Sequence, residues 1–303
     1  MKPQKLIVVI GPTASGKTAL GIRLAKKYGG EVVSADSRQV YRGMDIGTAK
    51  PVCGVQRGRC SVEGVRHHLI DVVDPDEQFS VADWKQMALE ATRGIIRRGH
   101  LPIVVGGTGL YIQSVVDNIE PPRIAANPTL RATLESKSLP ELQRMLKRYD
   151  PDAAKRIDIK NPRRIIRALE VAIMTGQPFL SQRKKGKPLF DVLEIGINVS
   201  RSGLYRRIDE RVDEQIRAGL VEEVRGLVAR YGPDLSALTA IGYRQIILHL
   251  NEKMTLDRAV ERIKFDTHAY ARRQMTWFRR DKRIRWIHNP EEAEPLAVEF
   301  LSK

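Results

Sequence analysis

The chain has 303 residues, of which 42% are hydrophobic, so it is long enough to form a sizeable buried core. Its 52 Lys and Arg residues against 36 Asp and Glu residues leave a net charge of +16, which favours a polyanionic partner, with nucleic acid as the first candidate. No apolar run approaches the roughly 18 residues of a membrane span, and the N-terminal apolar run leads into a glycine turn without a cleavage-like site, so we expect a cytoplasmic protein without a membrane partner.

The first predicted element is the apolar strand "LIVVI", which is followed by a turn with Gly11 and Gly16, then by Lys17, Thr18 and a predicted helix over residues 17–28. This is the G-x-x-x-x-G-K-[ST] pattern of a phosphate-binding loop. Backbone N–H groups would face phosphate oxygens, Lys17 would add a full positive charge, and the Thr18 hydroxyl could bind Mg²⁺. The alternative is an ordinary strand-to-helix turn. The pattern does not identify the molecule that carries the phosphate.

The next predicted strand, "EVVSA", ends directly before Asp36. Because ligands of parallel α/β sheets bind beyond the carboxyl ends of the strands, this carboxylate is predicted to lie beside the bound phosphates. There it could hold Mg²⁺ through water or accept a proton from a nucleophile. A helix-capping or turn aspartate is the alternative, although the polar residues Ser37, Arg38 and Gln39 that follow favour a functional cluster.

Two cysteines, Cys53 and Cys60, occur in "CGVQRGRC", and His67 and His68 follow them. A zinc site is the less favoured interpretation, because the sequence lacks the close Cys-x-x-Cys pairs that are typical of such sites. We predict reduced thiols in an irregular loop, as is usual for a cytoplasmic protein.

The segment "FSVADWKQMALEATRGIIRRG" predicts a helix that Ser80 caps together with Asp83, and the apolar strand "LPIVV" and the sequence "GGTG" follow it. Strands this apolar are typical of a parallel sheet covered by helices on both faces, so we predict an α/β fold. Asp71 and Asp74 are weak candidates for the metal-binding aspartate of an NTPase. A phosphate loop without convincing hydrolysis machinery favours a transferase that uses the phosphate as a handle or leaving group.

The character of the chain changes at "PPRIAANP", which is typical of a linker. We predict an inserted helical subdomain over residues 122–188, basic and free of strands, within a core formed by residues 1–121 and 189–303. In "NPRRIIRALEVAI" the pattern predicts a helix that carries Arg163 and Arg167 one turn apart.

After the strand-like run "LEIGINVS", the sequence predicts a long amphipathic helix with Arg207 and Arg211 beside its apolar stripe. An arginine in this position could bind the outer phosphate of a ligand. The alternative is surface pairing with Glu210 or Glu214.

The C-terminal segment "YARRQMTWFRRDKRIRW" places Arg272, Arg279 and Arg283 on one face if it forms a single helix. Such a face could follow the phosphates of a nucleic acid while an aromatic ring stacks on a base. Trp277 and Phe278 are more readily explained as core residues with the arginines outside.

Taken together, these stretches resemble the bacterial tRNA dimethylallyltransferases, also called tRNA isopentenyltransferases. The resemblance rests on "GPTASGKT", "SADSRQVYRGMDIGTAKP", "HHLIDVVDP", "FSVADW", "PIVVGGTGLY", "RRIIRALEV", "LYRRIDERVDEQIRAGLVEEV", "TAIGYRQ" and "RRQMTWFRRD". It implies an α/β fold with a phosphate-loop parallel-sheet core flanked by helices and an inserted helical subdomain that binds tRNA. It also implies a magnesium-dependent enzyme, which we expect to be a monomer.

The activity that the resemblance implies is transfer of a dimethylallyl group from dimethylallyl diphosphate to the exocyclic N6 amine of the adenosine 3′ of the anticodon, with release of diphosphate. The RNA partner would be the tRNA anticodon stem-loop. Asp36 would take up the proton of the amine, and Lys17, Thr18 and Arg211 would act with it in catalysis, Thr18 also as a ligand of Mg²⁺.

The resemblance assigns two further groups of residues to the substrates. The diphosphate would be bound by Gly11, Pro12, Thr13, Ala14, Ser15, Gly16, Lys17, Thr18 and Arg211. The tRNA would be bound by Asp36, Ser37, Arg38, Gln39, Thr108, Arg131, Arg163, Arg164, Ile165, Ile166, Arg167, Thr239, Ala240, Ile241, Gly242, Tyr243 and Arg244. Two features depart from the family pattern: His268 stands where arginine is more usual, and residues 52–66 form a longer and more basic stretch.

Two other functions are open from the residues alone. A small-molecule kinase would use the same phosphate loop on ATP, but it leaves the basic insert and the net charge of +16 without a role. A non-enzymatic RNA-binding module would explain the charge, but not the combination of strand, glycine turn, Lys17 and Thr18.

Overall fold

The computed structural model of the chain describes residues 3–56, 59–120, 124, 127–182 and 184–303. The chain divides into two compact units: unit 1 comprises Met1–Val116 and Leu189–Lys303, and unit 2 comprises Asp117–Pro188. Most of the predicted linker "PPRIAANP", namely residues 121–123, 125 and 126, lies outside the described residues.

In chain order the strands are β1 (Gln4–Ile10), β2 (Gly30–Ala35), β3 (Gly54–Gln56), β4 (Arg59–Val62), β5 (Val65–His68), β6 (Leu101–Gly106), β7 (Ile119–Glu120), β8 (Lys184–Lys185), β9 (Phe190–Ile197) and β10 (Arg285–Ile287). The α-helices are α1 (Lys17–Tyr28), α2 (Val81–Arg97), α3 (Gly109–Val116), α4 (Pro128–Glu135), α5 (Leu139–Tyr149), α6 (Pro151–Arg156), α7 (Pro162–Thr175), α8 (Arg201–Arg217), α9 (Leu220–Tyr231), α10 (Tyr243–Leu250), α11 (Leu256–Phe278) and α12 (Ala293–Ser302).

Unit 1 is built on a sheet with the strand order β10-β9-β1-β6-β2-β5-β4-β3. Strands β10, β9, β1, β6, β2 and β5 pair in parallel, and β4 and β3 continue the sheet in antiparallel pairing. Successive side chains of a strand point to opposite faces. Along β1, Leu6, Val8 and Ile10 therefore enter one apolar cluster, and Ile7 and Val9 enter another.

Helices cover both faces of this sheet. Residues of α1 and α12 pack with Ile7 and Val9, and residues of α2, α3, α8, α9, α10 and α11 pack on the side of Leu6 and Val8. The predicted α/β fold, a parallel sheet flanked by helices, is confirmed. No helix within the described ranges is long and apolar enough to cross a membrane.

Local signals placed two helices correctly. Helix α1 runs over the predicted residues, and Gly29 is its C-cap. Helix α2 begins with the predicted capping box, because the Ser80 side chain accepts from the backbone N–H groups of Ala82 and Asp83, and the Asp83 carboxylate accepts from the Ser80 N–H at 2.8 Å.

The prediction of reduced cysteines in an irregular loop is wrong. Strands β3 and β4 form an antiparallel pair, in which Val55 lies opposite Cys60, and Cys53 directly precedes β3. The Cα atoms of Cys53 and Cys60 are 5.0 Å apart, within the range that a disulfide spans, and the two sulfurs are bonded. The prediction relied on the expected cellular compartment and could not include the pairing register of β3 and β4.

The C-terminal segment is not one helix, as the arginine face required. Helix α11 ends at Phe278, with Arg279 as its C-cap, and the chain then forms strand β10. Arg283 therefore does not continue the face of Arg272, and its guanidinium pairs with Asp281 and lies 3.4 Å from Glu194.

Unit 2 contains α4 to α7 around an apolar cluster that includes Leu134, Leu142, Leu146 and Leu169. It is not entirely free of strands, because β7 and β8 form a short antiparallel pair. Helix α7 begins as the sequence suggested: Asn161 is its N-cap and accepts from the Arg164 N–H.

The disulfide generates a stability prediction. With a sequence separation of 7 between the cysteines, a disulfide restricts the unfolded chain and contributes about 2 kcal/mol to the free energy of unfolding. We expect the double variant Cys53→Ser, Cys60→Ser to unfold at a lower urea concentration than the wild type, and reductant to shift only the wild type. Thiol titration of the unreduced, denatured wild type provides the direct check, and two reactive thiols would contradict the pairing.

Candidate active site at the carboxyl edge of the sheet

The phosphate loop connects β1 to α1 and leaves the N-terminus of α1 open. Gly16 is the N-cap residue with φ 90°, a conformation that glycine adopts without a steric penalty. Among the described residues no side chain caps this helix, and its first turn contains no acidic residue. The first backbone N–H groups of α1 are therefore free to bind an anion, which the helix dipole also favours.

Lys17 extends from this loop into a partly buried site. Its Nζ donates to the carbonyl oxygen of Pro12 at 3.2 Å. Burial lowers the pKa of Lys17 to about 8, the nearby Asp36 carboxylate opposes that shift, and the Arg211 guanidinium adds to it. Burial also lowers the pKa of Arg211 below its usual range. Lys17 thus lies close enough to both Asp36 and Arg211 for each of them to influence it electrostatically.

Asp36 directly follows β2, as predicted. Its Oδ1 accepts the backbone N–H groups of Arg38 at 2.8 Å and Gln39 at 3.3 Å. Asp36 therefore stabilises the turn of its own loop, as the alternative interpretation of a turn aspartate predicted, but it does so through one carboxylate oxygen only. The two hydrogen bonds use Oδ1 and not Oδ2, so the same carboxylate can hold its loop and also meet a substrate.

The loop after β6 is bonded to the loop that carries Asp36. The Thr108 hydroxyl accepts the Ser37 N–H at 3.0 Å, and the Thr108 N–H donates to the carbonyl oxygen of Ala35 at 3.2 Å. Thr108 and residues 36–39 are therefore adjacent at one edge of the sheet.

The segment 236–243 is held by hydrogen bonds to Arg38 and Glu223. The Arg38 guanidinium donates to the carbonyl oxygens of Ser236 and Ala237, each at 3.2 Å. Tyr243 is fully buried, and its hydroxyl donates to Glu223 Oε1 at 2.7 Å. The side chains of Thr239 and Arg244 are exposed, whereas Ala240 and Gly242 are buried and Ile241 is partly buried.

Glu223 was not identified from the sequence, although it anchors the loop 45–47. Its carboxylate accepts the backbone N–H groups of Asp45, Ile46 and Gly47 at 3.1, 2.6 and 3.1 Å, in addition to the Tyr243 hydroxyl. No local pattern marks such a residue, because its partners lie far away in the chain.

Arg207 and Arg211 differ in environment, although they lie one turn apart on α8. Arg207 is exposed, whereas Arg211 is partly buried beside Lys17. Glu214 raises the pKa of Arg211, but burial outweighs it. Of the two arginines predicted beside the apolar stripe, Arg211 is therefore the one at the site.

The predicted RNA-binding residues of unit 2 fall into three groups. Arg163 and Arg164 are exposed, whereas Ile165 and Ile166 lie in the apolar core of the unit. Arg131 and Arg167 both pair with Glu170, whose side chain is fully buried: Arg131 donates two hydrogen bonds of 2.9 Å, and Arg167 approaches the second oxygen. Burial raises the pKa of Glu170, but these hydrogen bonds outweigh it, so its pKa is below the usual range.

On helix α11, the ring of Trp277 lies against the backbone of α3, since a Cβ added at Gly109 would be only 2.4 Å from it. Phe278 is buried in the core, as predicted. His268 stacks on Tyr205 with ring centroids 4.0 Å apart, and its Nε2 lies 2.8 Å from Asp209 Oδ1. His268 therefore contributes to the contact between helices α11 and α8.

Comparisons with known proteins agree on one family. The family model described as IPP transferase matches residues 39–281, and the one described as isopentenyl transferase matches residues 4–59. A tRNA dimethylallyltransferase of Desulforudis audaxviator is 48% identical, over 98% of this chain and 96% of that protein. Another, of Pelotomaculum thermopropionicum, is 42% identical, over 99% of this chain and 96% of that protein.

Solved structures give the same result. The full-length tRNA isopentenylpyrophosphate transferase of Bacillus halodurans superimposes with a TM-score of 0.73 at 38% identity, and the match covers 99% of this chain and 97% of that one. A eukaryotic dimethylallyltransferase acting on tRNA superimposes with a TM-score of 0.74 at 30% identity, covering 90% of this chain and 69% of that one.

From the contacts of Glu170 we predict that an arginine paired with it, such as Arg167, contributes more to stability than an exposed arginine such as Arg163. Arg167→Ala removes one partner of a fully buried carboxylate, and we expect it to lower the free energy of unfolding by about 1–3 kcal/mol. Arg163→Ala, an exposed arginine on the same helix, should change it by less than about 0.5 kcal/mol. Urea unfolding of the two variants tests this, and equal shifts would contradict it.

Proposed function

The chain belongs to the IPP transferase family, and from that premise we propose that it transfers a dimethylallyl group from dimethylallyl diphosphate to the N6 amine of the adenosine 3′ of the anticodon in tRNA. The observation that carries the proposal is the grouping of Lys17, Asp36 and Arg211 at the carboxyl edge of the sheet, next to an uncapped helix N-terminus. We further propose that the enzyme acts as a monomer in the cytoplasm.

The reaction needs two charges to be handled at the same time. The bond between the allylic carbon and the diphosphate oxygen breaks, and its electron pair stays on the diphosphate. Loop N–H groups, Lys17 and Arg211 stand where this negative charge grows and stabilise it. The carbon forms a bond with N6, and Asp36, through Oδ2, takes up the proton that the amine gives off.

The oxygen donors at the site fit a magnesium ion bound mainly through the substrate. Mg²⁺ is commonly held by one or two protein oxygens together with phosphate oxygens and water. The exposed Thr18 hydroxyl, at the first turn of α1, is the oxygen that would join the diphosphate in holding it. When bound, the ion would neutralise part of the charge on the leaving diphosphate.

Exposed cations support tRNA as the acceptor. Arg163 and Arg164 extend from the first turn of α7 without burial, and the chain as a whole carries a net charge of +16. Phosphate contacts of this kind position an RNA and depend strongly on salt. The target base must leave its stack to reach a carboxylate at a sheet edge, so we propose that it is bound flipped out.

The kinase alternative is not favoured, because the relatives matched along nearly the whole chain are tRNA dimethylallyltransferases. Incubation with labelled dimethylallyl diphosphate and unmodified tRNA, and in parallel with ATP, separates the possibilities. We expect label in RNA and no ATP turnover. ATP turnover without labelled RNA would select the kinase, and RNA binding without either reaction would select the binding module.

Asp36 and Lys17 should be kinetically distinct. The substitution Asp36→Asn retains a side-chain oxygen for the Arg38 and Gln39 N–H groups but removes the group that takes up the proton. It should therefore lower kcat by roughly 10²–10⁴ and leave diphosphate binding intact. Lys17→Ala should weaken diphosphate binding as well, because its charge meets the phosphates before and during the reaction. Titration with a labelled diphosphate beside single-turnover transfer measures both effects. If Asp36→Asn loses diphosphate binding as severely as Lys17→Ala, the aspartate serves the metal and not the amine.

The basic residues of α7 should determine the salt dependence of RNA binding. Replacing Arg163 and Arg164 with Ala should reduce the slope of log K against log salt by about 0.7–0.9 for each RNA phosphate that the variant no longer neutralises. Affinity for dimethylallyl diphosphate should not change. A matched control replaces the exposed Arg225 and Arg230 of α9 and should leave the slope unaltered. An unchanged slope in the α7 variant would remove this helix from the RNA interface.

A further inference from the structure

Gln274, on helix α11, joins two loops of the site. Its Oε1 accepts the backbone N–H of Thr13, within the phosphate loop, at 2.9 Å. Its Nε2 donates to the carbonyl oxygen of Gly107, in the loop after β6, also at 2.9 Å. The residue is 6% exposed, and its hydrogen bond to Gly107 is buried while the one from Thr13 is partly buried. Neither the motif pattern nor the family resemblance assigned this residue a role.

The connection continues from Gly107 to Asp36. The next residue, Thr108, accepts the Ser37 N–H at 3.0 Å, and the Asp36 carboxylate orders the same turn through Arg38. Through Gln274, hydrogen bonds that alternate with peptide bonds of the chain therefore link a backbone group of the phosphate loop to the loop that presents Asp36.

The fit around the amide leaves little room for independent movement of the two loops. A Cβ added at Gly107 would lie 2.3 Å from the Gln274 Nε2 and 3.4 Å from the carbonyl oxygen of Gly11. Since a carboxamide is planar and rigid, a shift of Thr13 toward a bound anion changes the position of the donor that holds Gly107. The N–H of Thr13 donates to Gln274, so a movement of the phosphate loop on binding an anion reaches Gln274 through this hydrogen bond.

We propose that Gln274 is a positioning residue that couples the diphosphate site to the RNA site, so that occupation of one strengthens binding at the other. This inference rests on the proposed function, since it assumes that the diphosphate occupies the phosphate loop and that the RNA meets Asp36. The coupling is reciprocal: RNA bound at the Asp36 loop favours the arrangement of Thr13 that accepts diphosphate, and the reverse holds by thermodynamic linkage.

The test is a binding cycle with unreactive components. The dissociation constant of inorganic diphosphate with Mg²⁺ is measured by calorimetry with and without a saturating anticodon stem-loop RNA, for the wild type and for Gln274→Met, which keeps the length of the side chain but lacks both hydrogen-bonding groups. We expect the RNA to tighten diphosphate binding at least about 5-fold in the wild type. In Gln274→Met the two constants should agree to within about 2-fold, because the connection is broken.

A merely structural residue would change stability or both affinities without changing this ratio. Gln143→Met is the matched control, because it removes a 2.9 Å hydrogen bond from a partly buried glutamine to the Ile159 carbonyl oxygen in unit 2. It should keep the wild-type ratio. If Gln274→Met does not fold, Gly107→Ala tests the same point, because its methyl group displaces the amide of Gln274.

Three results would overturn the inference: a wild-type ratio near one, a Gln274→Met ratio equal to that of the wild type, or an unchanged ratio in Gly107→Ala. Transfer of label to tRNA by the wild type is measured in parallel and decides the proposed function separately. Transfer with no coupling rejects the role of Gln274 alone. Absence of transfer rejects the proposed function, while the ratio still decides whether the two sites communicate.

Discussion

Burial of both faces of the parallel sheet is the constraint on which the site depends. Alternate side chains of β1 enter two separate apolar clusters, so the strand has no face that can carry a polar ligand site. Chemistry is therefore confined to the edge where the strands end. At that edge the chain supplies the phosphate loop after β1, Asp36 after β2 and Thr108 after β6, while Arg211 approaches from α8.

The loops at this edge are ordered by buried polar side chains from distant parts of the chain. The carboxylate of Glu223 holds three consecutive N–H groups of the loop 45–47, and the amide of Gln274 joins the phosphate loop to Gly107. Each of these hydrogen bonds takes the place of a hydrogen bond to water that the backbone group loses on burial. A buried group left without a partner would lower the free energy of unfolding by about 1–3 kcal/mol. Loops with few apolar residues thereby gain the rigidity that a catalytic constellation needs.

How far the sequence predicts this arrangement depends on the distance between the interacting residues. Helix α1 and the capping box of α2 were predictable, because glycine and the Ser80–Asp83 spacing act within one turn. The position of Asp36 followed from the topology of parallel strands. Three other features were not predictable, because each depends on a strand register or a tertiary contact. They are the disulfide beside the β3–β4 pair, the end of α11 at Phe278, and the pairing of Arg131 and Arg167 with Glu170. The Glu170 contacts also show why a basic residue in a basic segment need not face a nucleic acid.

The charge balance of the site explains why it suits an anion that carries more than one charge. Lys17 and Arg211 are two partly buried cations, and burial lowers the pKa of both although Asp36 opposes the shift at Lys17 and Glu214 opposes it at Arg211. The free protein therefore holds positive charge in an unfavourable environment, and an anion that enters the loop relieves this cost. Charge interactions that are already fully formed with the bound substrate strengthen binding but do not accelerate the reaction. The rate increases only through the additional stabilisation of the negative charge that develops on the leaving oxygen during bond cleavage. Because the N–H groups of α1 are held in place by the helix itself, their part of that additional stabilisation requires no rearrangement at the moment of reaction.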